Sequence, residues 1–99
     1  MRYPPAIAMI NAVVKARTRE AAMADANDLV RAMRWGGEPY RILGPAPAPL
    51  SRLKGQHRAQ FFVKGTRRGA MRKALVAALE ARPEIRRRTI IDVDPMSVL

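Results

Sequence analysis

From Ala8 to Arg17 the chain reads "AMINAVVKAR", where apolar residues roughly alternate with polar ones. Ile10, Ala12, Val14 and Ala16 fall on one side of a strand, with Asn11, Lys15 and Arg17 on the other. The periodicity then becomes helical. Thr18 is placed to cap a helix running to about Arg34, with Glu20 in the first turn, where the helix dipole favours an anion. Ala22, Ala26, Leu29, Val30 and Met33 form its apolar stripe, and Gly36-Gly37 supplies the stop. "YRIL", Tyr40 to Leu43, predicts a short second strand. "HRAQFFVKG", His57 to Gly65, predicts a third, with Ala59, Phe61 and Val63 inward and Arg58, Gln60, Phe62 and Lys64 outward. Thr66 is the predicted cap of a second helix, which carries Met71, Ala74, Leu75, Ala78 and Leu79 on one face and stops before Pro83. "RRRTIIDVD", Arg86 to Asp94, reads as the last strand, with Thr89, Ile91 and Val93 opposite Arg88, Ile90, Asp92 and Asp94.

The order is β-α-β-β-α-β. It predicts an α+β, ferredoxin-like sandwich, a four-stranded antiparallel sheet with two helices on one face. That plan commonly puts the second strand at a sheet edge, and the residues after it bear on this. Pro45, Pro47 and Pro49 occupy every second position of "GPAPAPL". Alternate N–H groups of a strand point to the same side, so these prolines would delete donors from one edge only, which an edge strand tolerates. A polyproline-type arm leaving the sheet after Leu43 is the other reading. Either way the segment is stiff and holds Arg52, Lys54 and Arg58 at a set distance from the body.

Composition narrows the classes. A chain of 99 residues is one domain, residues 1–99, with a small core. With 48% apolar residues it should fold, not remain a disordered tail. It has no cysteine and one histidine, His57, so neither a disulfide framework nor a thiolate or histidine metal site is expected. No apolar run approaches bilayer length and no signal peptide is recognisable, so a cytoplasmic protein without a membrane partner is expected.

Charge changes the picture most. Nineteen Lys and Arg against eight Asp and Glu give a net charge of +11. Between Pro39 and Leu79 there is no acidic residue, yet Arg41, Arg52, Lys54, Arg58, Lys64, Arg67, Arg68, Arg72 and Lys73 all lie there. So concentrated a field attracts polyanions, with nucleic acid first among them. A merely solubilising surface would mix both signs. Arg67 and Arg68 fall at the start of the second predicted helix, the end where cations are disfavoured by about 0.3–1 kcal/mol each. Free N–H groups beside misplaced cations suit a phosphate or a carboxylate. The tripeptide "KGT" is not a P-loop, because position 60, where the upstream glycine belongs, is Gln60. Asp92 and Asp94 share a strand face, but no third carboxylate, histidine or nucleophile accompanies them; pairing with Arg86 to Arg88 or with another domain is expected in place of catalysis. Trp35 reads as a packing residue at a helix end, and Phe62, on the open sheet face, as a base-stacking or domain-interface residue.

Four motifs occur in order: "YPP" at residues 3–5, "LGPAPAPL" at 43–50, "RAQFFVKG" at 58–65 and "IDVDP" at 91–95. Together they resemble the C-terminal domain family of primosomal protein N′, a bacterial replication-restart DNA helicase. The resemblance covers nearly the whole chain. It implies a C-terminal fragment of a longer ATP-dependent 3′–5′ helicase, whose lobes and zinc-binding insertion lie elsewhere. ATP and zinc are then cofactors of the parent, with none in this fragment, and the fragment itself is not an enzyme. The resemblance further implies a shape like that of a small-ribosomal-subunit protein, binding to forked or single-stranded DNA, and a groove for the acidic, Phe-terminated tail of single-stranded DNA-binding protein. Matching the start of the second helix assigns Arg68 and Arg72 to that groove; position 72 is often Gln in relatives. Arg52, Lys54, Arg58, Lys64, Arg67 and Lys73 are the predicted nucleic-acid contacts. Two positions depart from the family: Ala6 replaces the usual aromatic after "YPP", and His57 stands where Tyr or Trp is common. The competing reading is a stand-alone RNA-binding or ribosomal-type protein. The common RNA-binding sheet carries two aromatics on the open face of its third strand, and only Phe62 qualifies here.

Overall fold

The computed structural model describes residues 7–35, 40–53 and 55–93, with the side chains of Trp35 and residues 49–53 excepted. The elements are β1 (Ala8–Ala16), α1 (Arg19–Trp35), β2 (Tyr40–Leu53), β3 (Gln56–Gly65), α2 (Arg68–Glu80), α3 (Pro83–Arg87) and β4 (Thr89–Val93). The strands form one sheet in the order β2-β3-β1-β4, with every pairing antiparallel. The expected α+β plan is thus observed, with β2 at an edge.

Alternation builds the sheet. All five inward positions of β1, from Ala8 to Ala16, are buried, as are Ala59, Phe61 and Val63 of β3. Leu29, Val30 and Met33 of α1 and Met71, Leu75 and Leu79 of α2 close over them. Each large side chain so removed from water contributes about 1.5–3 kcal/mol. Thr18 caps α1 as predicted: its Oγ1 accepts from the Ala21 N–H at 3.0 Å, and its carbonyl accepts from Ala22. The predicted Gly36-Gly37 stop lies outside the described residues.

Three local expectations are corrected. First, β2 does not end at Leu43 but continues through the prolines to Leu53, so the segment is an edge strand and not an arm. The ladder with β3 slips between Leu43 and Ala46 and again between Pro47 and Arg52. Prolines offer no N–H, so the pairing cannot run uninterrupted through them. Second, Thr66 does not cap α2. The cap position is Arg67, which makes no side-chain capping bond. Third, Arg86 and Arg87 are helical. Pro83 has its φ preset for a first helical position, and Ile85 buries itself to anchor the turn. The last strand begins only at Thr89.

Register places Thr89, Ile91 and Val93 opposite Val14, Ala12 and Ile10, on the helix-covered side. Ile91 and Val93 nonetheless stay exposed, because α1 and α2 lie mainly over β1, β2 and β3.

Candidate nucleic-acid and partner interface

The end of β3 and the start of α2 gather cations. Gly65 closes β3 opposite Ala8 and Tyr40, and one row inward Lys64 stands between Met9 and Arg41. Two residues after Gly65 comes Arg67, then Arg68 opens α2, whose first turn holds no acidic residue. The helix therefore begins without a side-chain cap or a compensating carboxylate, in a region of positive dipole. Met71, Leu75, Ala78 and Leu79 are buried, so helical geometry puts the exposed Arg68, Arg72 and Val76 along the flank beside Leu79. There Val76 and Leu79 meet Arg86, Thr89 and Ile91 around a shallow groove of about 220 Å³. Lys73 lies on the outer face of α2, away from this groove.

The face of the sheet not covered by helices is patterned in rows. Arg41, Lys64 and Met9 make the first, then Leu43, Phe62, Asn11 and Asp92. Ala46, Gln60, Val13 and Ile90 make the third, and Arg58 beside Lys15 the last. Leu43 is 47% exposed and Ile90 48%. The Nε of Arg58 is buried without a hydrogen-bond partner, as is the Oδ1 of Asn11. A like-charge pair directly across two strands is destabilising, so the Arg58–Lys15 row carries a standing electrostatic cost.

Two of the described carboxylates are engaged elsewhere. Asp25 accepts from Arg88 at 2.9 Å and Asp28 from Arg82 at 2.8 Å, two clamps from one side of α1 to the segment after α2. Arg88 also donates to the Lys15 carbonyl, Arg82 to that of Ala78, and Arg87 pairs with Glu84. Arg87 and Arg88 thus take other partners than the expected Asp92, which sits exposed on the open face opposite Asn11. Asp94 lies outside the described residues. Among the described residues no group of three metal-ligating side chains occurs.

Lys64, Arg67, Arg68 and Arg72 therefore lie near one end of the fold, where β3 ends and α2 begins. Arg58 is on the same open face as Lys64, but six residues along β3, or about 20 Å away. The side chain of Arg52 and the whole of Lys54 fall outside the described residues, as does the side chain of Trp35. Sequence reasoning put Lys15 on the outward face of β1 and Arg41 in the cationic block, but named neither as a contact and could not set them beside Arg58 and Lys64. The signal that finds them is the strand register, which no local pattern supplies.

The sequence matches the family described as primosomal protein N C-terminal domain over residues 1–96. The chain belongs to this family. One relative of the family domain is the protein named replication restart protein PriA, of Haemophilus influenzae (strain ATCC 51907 / DSM 11121 / KW20 / Rd), which is 32% identical over 96 residues. That match covers 88% of this chain and 13% of the relative, so the family domain spans a small part of that protein. Among solved structures, the de novo designed protein Foldit4 superposes with a TM-score of 0.66 at 4% identity, over 89% of this chain and 93% of that one. At so low an identity the likeness is one of fold. Among the described residues, no helix is long and apolar enough to cross a membrane.

Proposed function

We propose that this chain is the non-catalytic, DNA-binding C-terminal part of a replication-restart helicase, acting within the primosome. The observation that carries the reading is the acid-free block of cations gathered where β3 ends and α2 begins, in a chain of the primosomal family. Lys64, Arg67 and Lys73 are its proposed phosphate contacts there, with Arg58 on the open sheet face, Arg52 near the end of β2 and Lys54 after it in the sequence. ATP hydrolysis and any zinc site belong, on this reading, to other parts of the parent protein. Forked and single-stranded DNA are the proposed ligands.

Phosphate neutralisation releases counterions, so log affinity should fall against log salt with a slope of about −0.9 for each phosphate engaged on duplex DNA. With the six proposed contacts engaged, affinity for a labelled fork falls about three decades between 50 and 200 mM salt. A titration by fluorescence anisotropy checks this, and an affinity unchanged by salt overturns the reading.

A second reading is favoured by the groove beside α2. Arg68 and Arg72 lead along one flank to Val76, Leu79 and Ile91, so cations adjoin an apolar depression. That arrangement suits an acidic tail ending in an aromatic residue, such as that of single-stranded DNA-binding protein. A charge-assisted hydrogen bond contributes about 1.5–3 kcal/mol. Arg68→Ala should therefore weaken binding of such a peptide at least about tenfold by calorimetry. An unchanged affinity removes Arg68 from the docking site.

A further inference from the structure

We infer that the open face of the sheet is a platform for single-stranded DNA, with Phe62 as the stacking residue and phosphates held by the rows above and below it. The inference rests on the DNA-binding reading and gives it a surface. Phe62 and Leu43 in one row and Val13, Ala46 and Ile90 in the next supply the apolar area of the centre, with Asn11 and Gln60 as the polar residues between them. Arg41 and Lys64 bound that centre at one end, Lys15 and Arg58 at the other, about 20 Å apart. Among the described residues none of these four cations has an ion-pair partner. Sheet rows thus alternate as a polynucleotide strand does, with charge outside and flat apolar area between.

The face also discriminates. A duplex hides its base faces within the stack, so the apolar centre gains from a single strand and little from a double one. Asp92 lies in the Phe62 row, on β4, and would repel a phosphate there. The strand is consequently routed over β1, β3 and β2, where the cations stand. The Arg58–Lys15 row adds a second motive. Its like charges face each other across the strands, and Arg58 Nε is buried without a partner, so an anion between them relieves a cost already present. Other occupants of the face, a second copy or another domain of the parent, supply apolar area but give no reason for cations that, among the described residues, stand uncompensated at both ends.

The test uses this chain with a labelled oligo-dT strand and a blunt duplex of equal length. Base–aromatic stacking predicts that Phe62→Leu lowers single-strand affinity about 5- to 100-fold while duplex affinity stays within twofold. The retained duplex binding shows that the variant is folded. Arg58→Gln, on an independent row, should lower single-strand affinity and flatten its salt slope by about 0.7. Ultraviolet crosslinking of a 5-iodouracil strand should place adducts on Phe62 or its neighbours in β1 and β3. Equal single-strand affinity in wild type and Phe62→Leu, with salt-dependent binding intact, overturns the platform and leaves the DNA-binding reading standing. Adducts confined to α2, or an effect of Phe62→Leu on self-association alone, also overturn it. Absence of binding to any DNA at low salt overturns both.

Discussion

Phe61→Ala is expected to lower the melting temperature by about 12–40 °C. Among the described residues Phe61 is the largest side chain with no exposure, set in the central strand pair beneath both helices. Removing its ring forfeits the transfer free energy and leaves a cavity that packed neighbours cannot fill, a loss of about 3–5 kcal/mol. Total stability of a domain of this size is about 5–15 kcal/mol, and each kcal/mol moves the midpoint by about 4–8 °C. Thermal melts followed by circular dichroism check the effect. The neighbouring Phe62→Leu provides the internal comparison, because its side chain faces the other way and its melt should move little. Equal shifts for the two variants would contradict the assigned faces of β3.

Gly44→Ala is expected to cost several degrees to tens of degrees for a different reason. Gly44 has a φ of +107°, where side chains are strained by about 1–3 kcal/mol. A Cβ there would also stand 3.0 Å from the Gln60 carbonyl oxygen and 3.3 Å from Phe61 Cα. Both are backbone atoms of the paired strand and cannot swing aside. Gly55 separates the two effects: it has a φ of +78° but open space around its Cβ position. Gly55→Asn should be nearly neutral, since Asn tolerates the left-handed region. Thermal melts of the two variants give the comparison, and a neutral Gly44→Ala would show that β2 does not cross β3 as closely as described.

The elements most legible in the sequence are those with an unbroken period. β1 and β3 alternate cleanly, and α1 announces itself by Thr18 and a stripe from Ala22 to Met33; the structure follows each within two residues. β2 was readable only as far as Leu43, because proline lowers strand propensity locally while the sheet edge tolerates it globally. α3 was hidden by the β-branched run that follows it, although Pro83 and the later burial of Ile85 favour a turn of helix. The site was legible as charge and illegible as geometry. The acid-free block from Pro39 to Leu79 is visible by inspection. That Lys15 faces Arg58, or that Lys64 lies beside Arg41, follows from pairings between residues 23 to 43 positions apart.

β4 has five residues, one strand neighbour and no buried side chain. Its register is pinned at one end, where Arg88 reaches Asp25 and the Lys15 carbonyl. Free energies of local opening in a native protein run from near zero up to that of global unfolding, and the low values belong to segments built in this way. The described strands therefore differ in protection: the amides of β1 and β3, beneath the helices, should exchange more slowly than those of β4, which has no buried side chain.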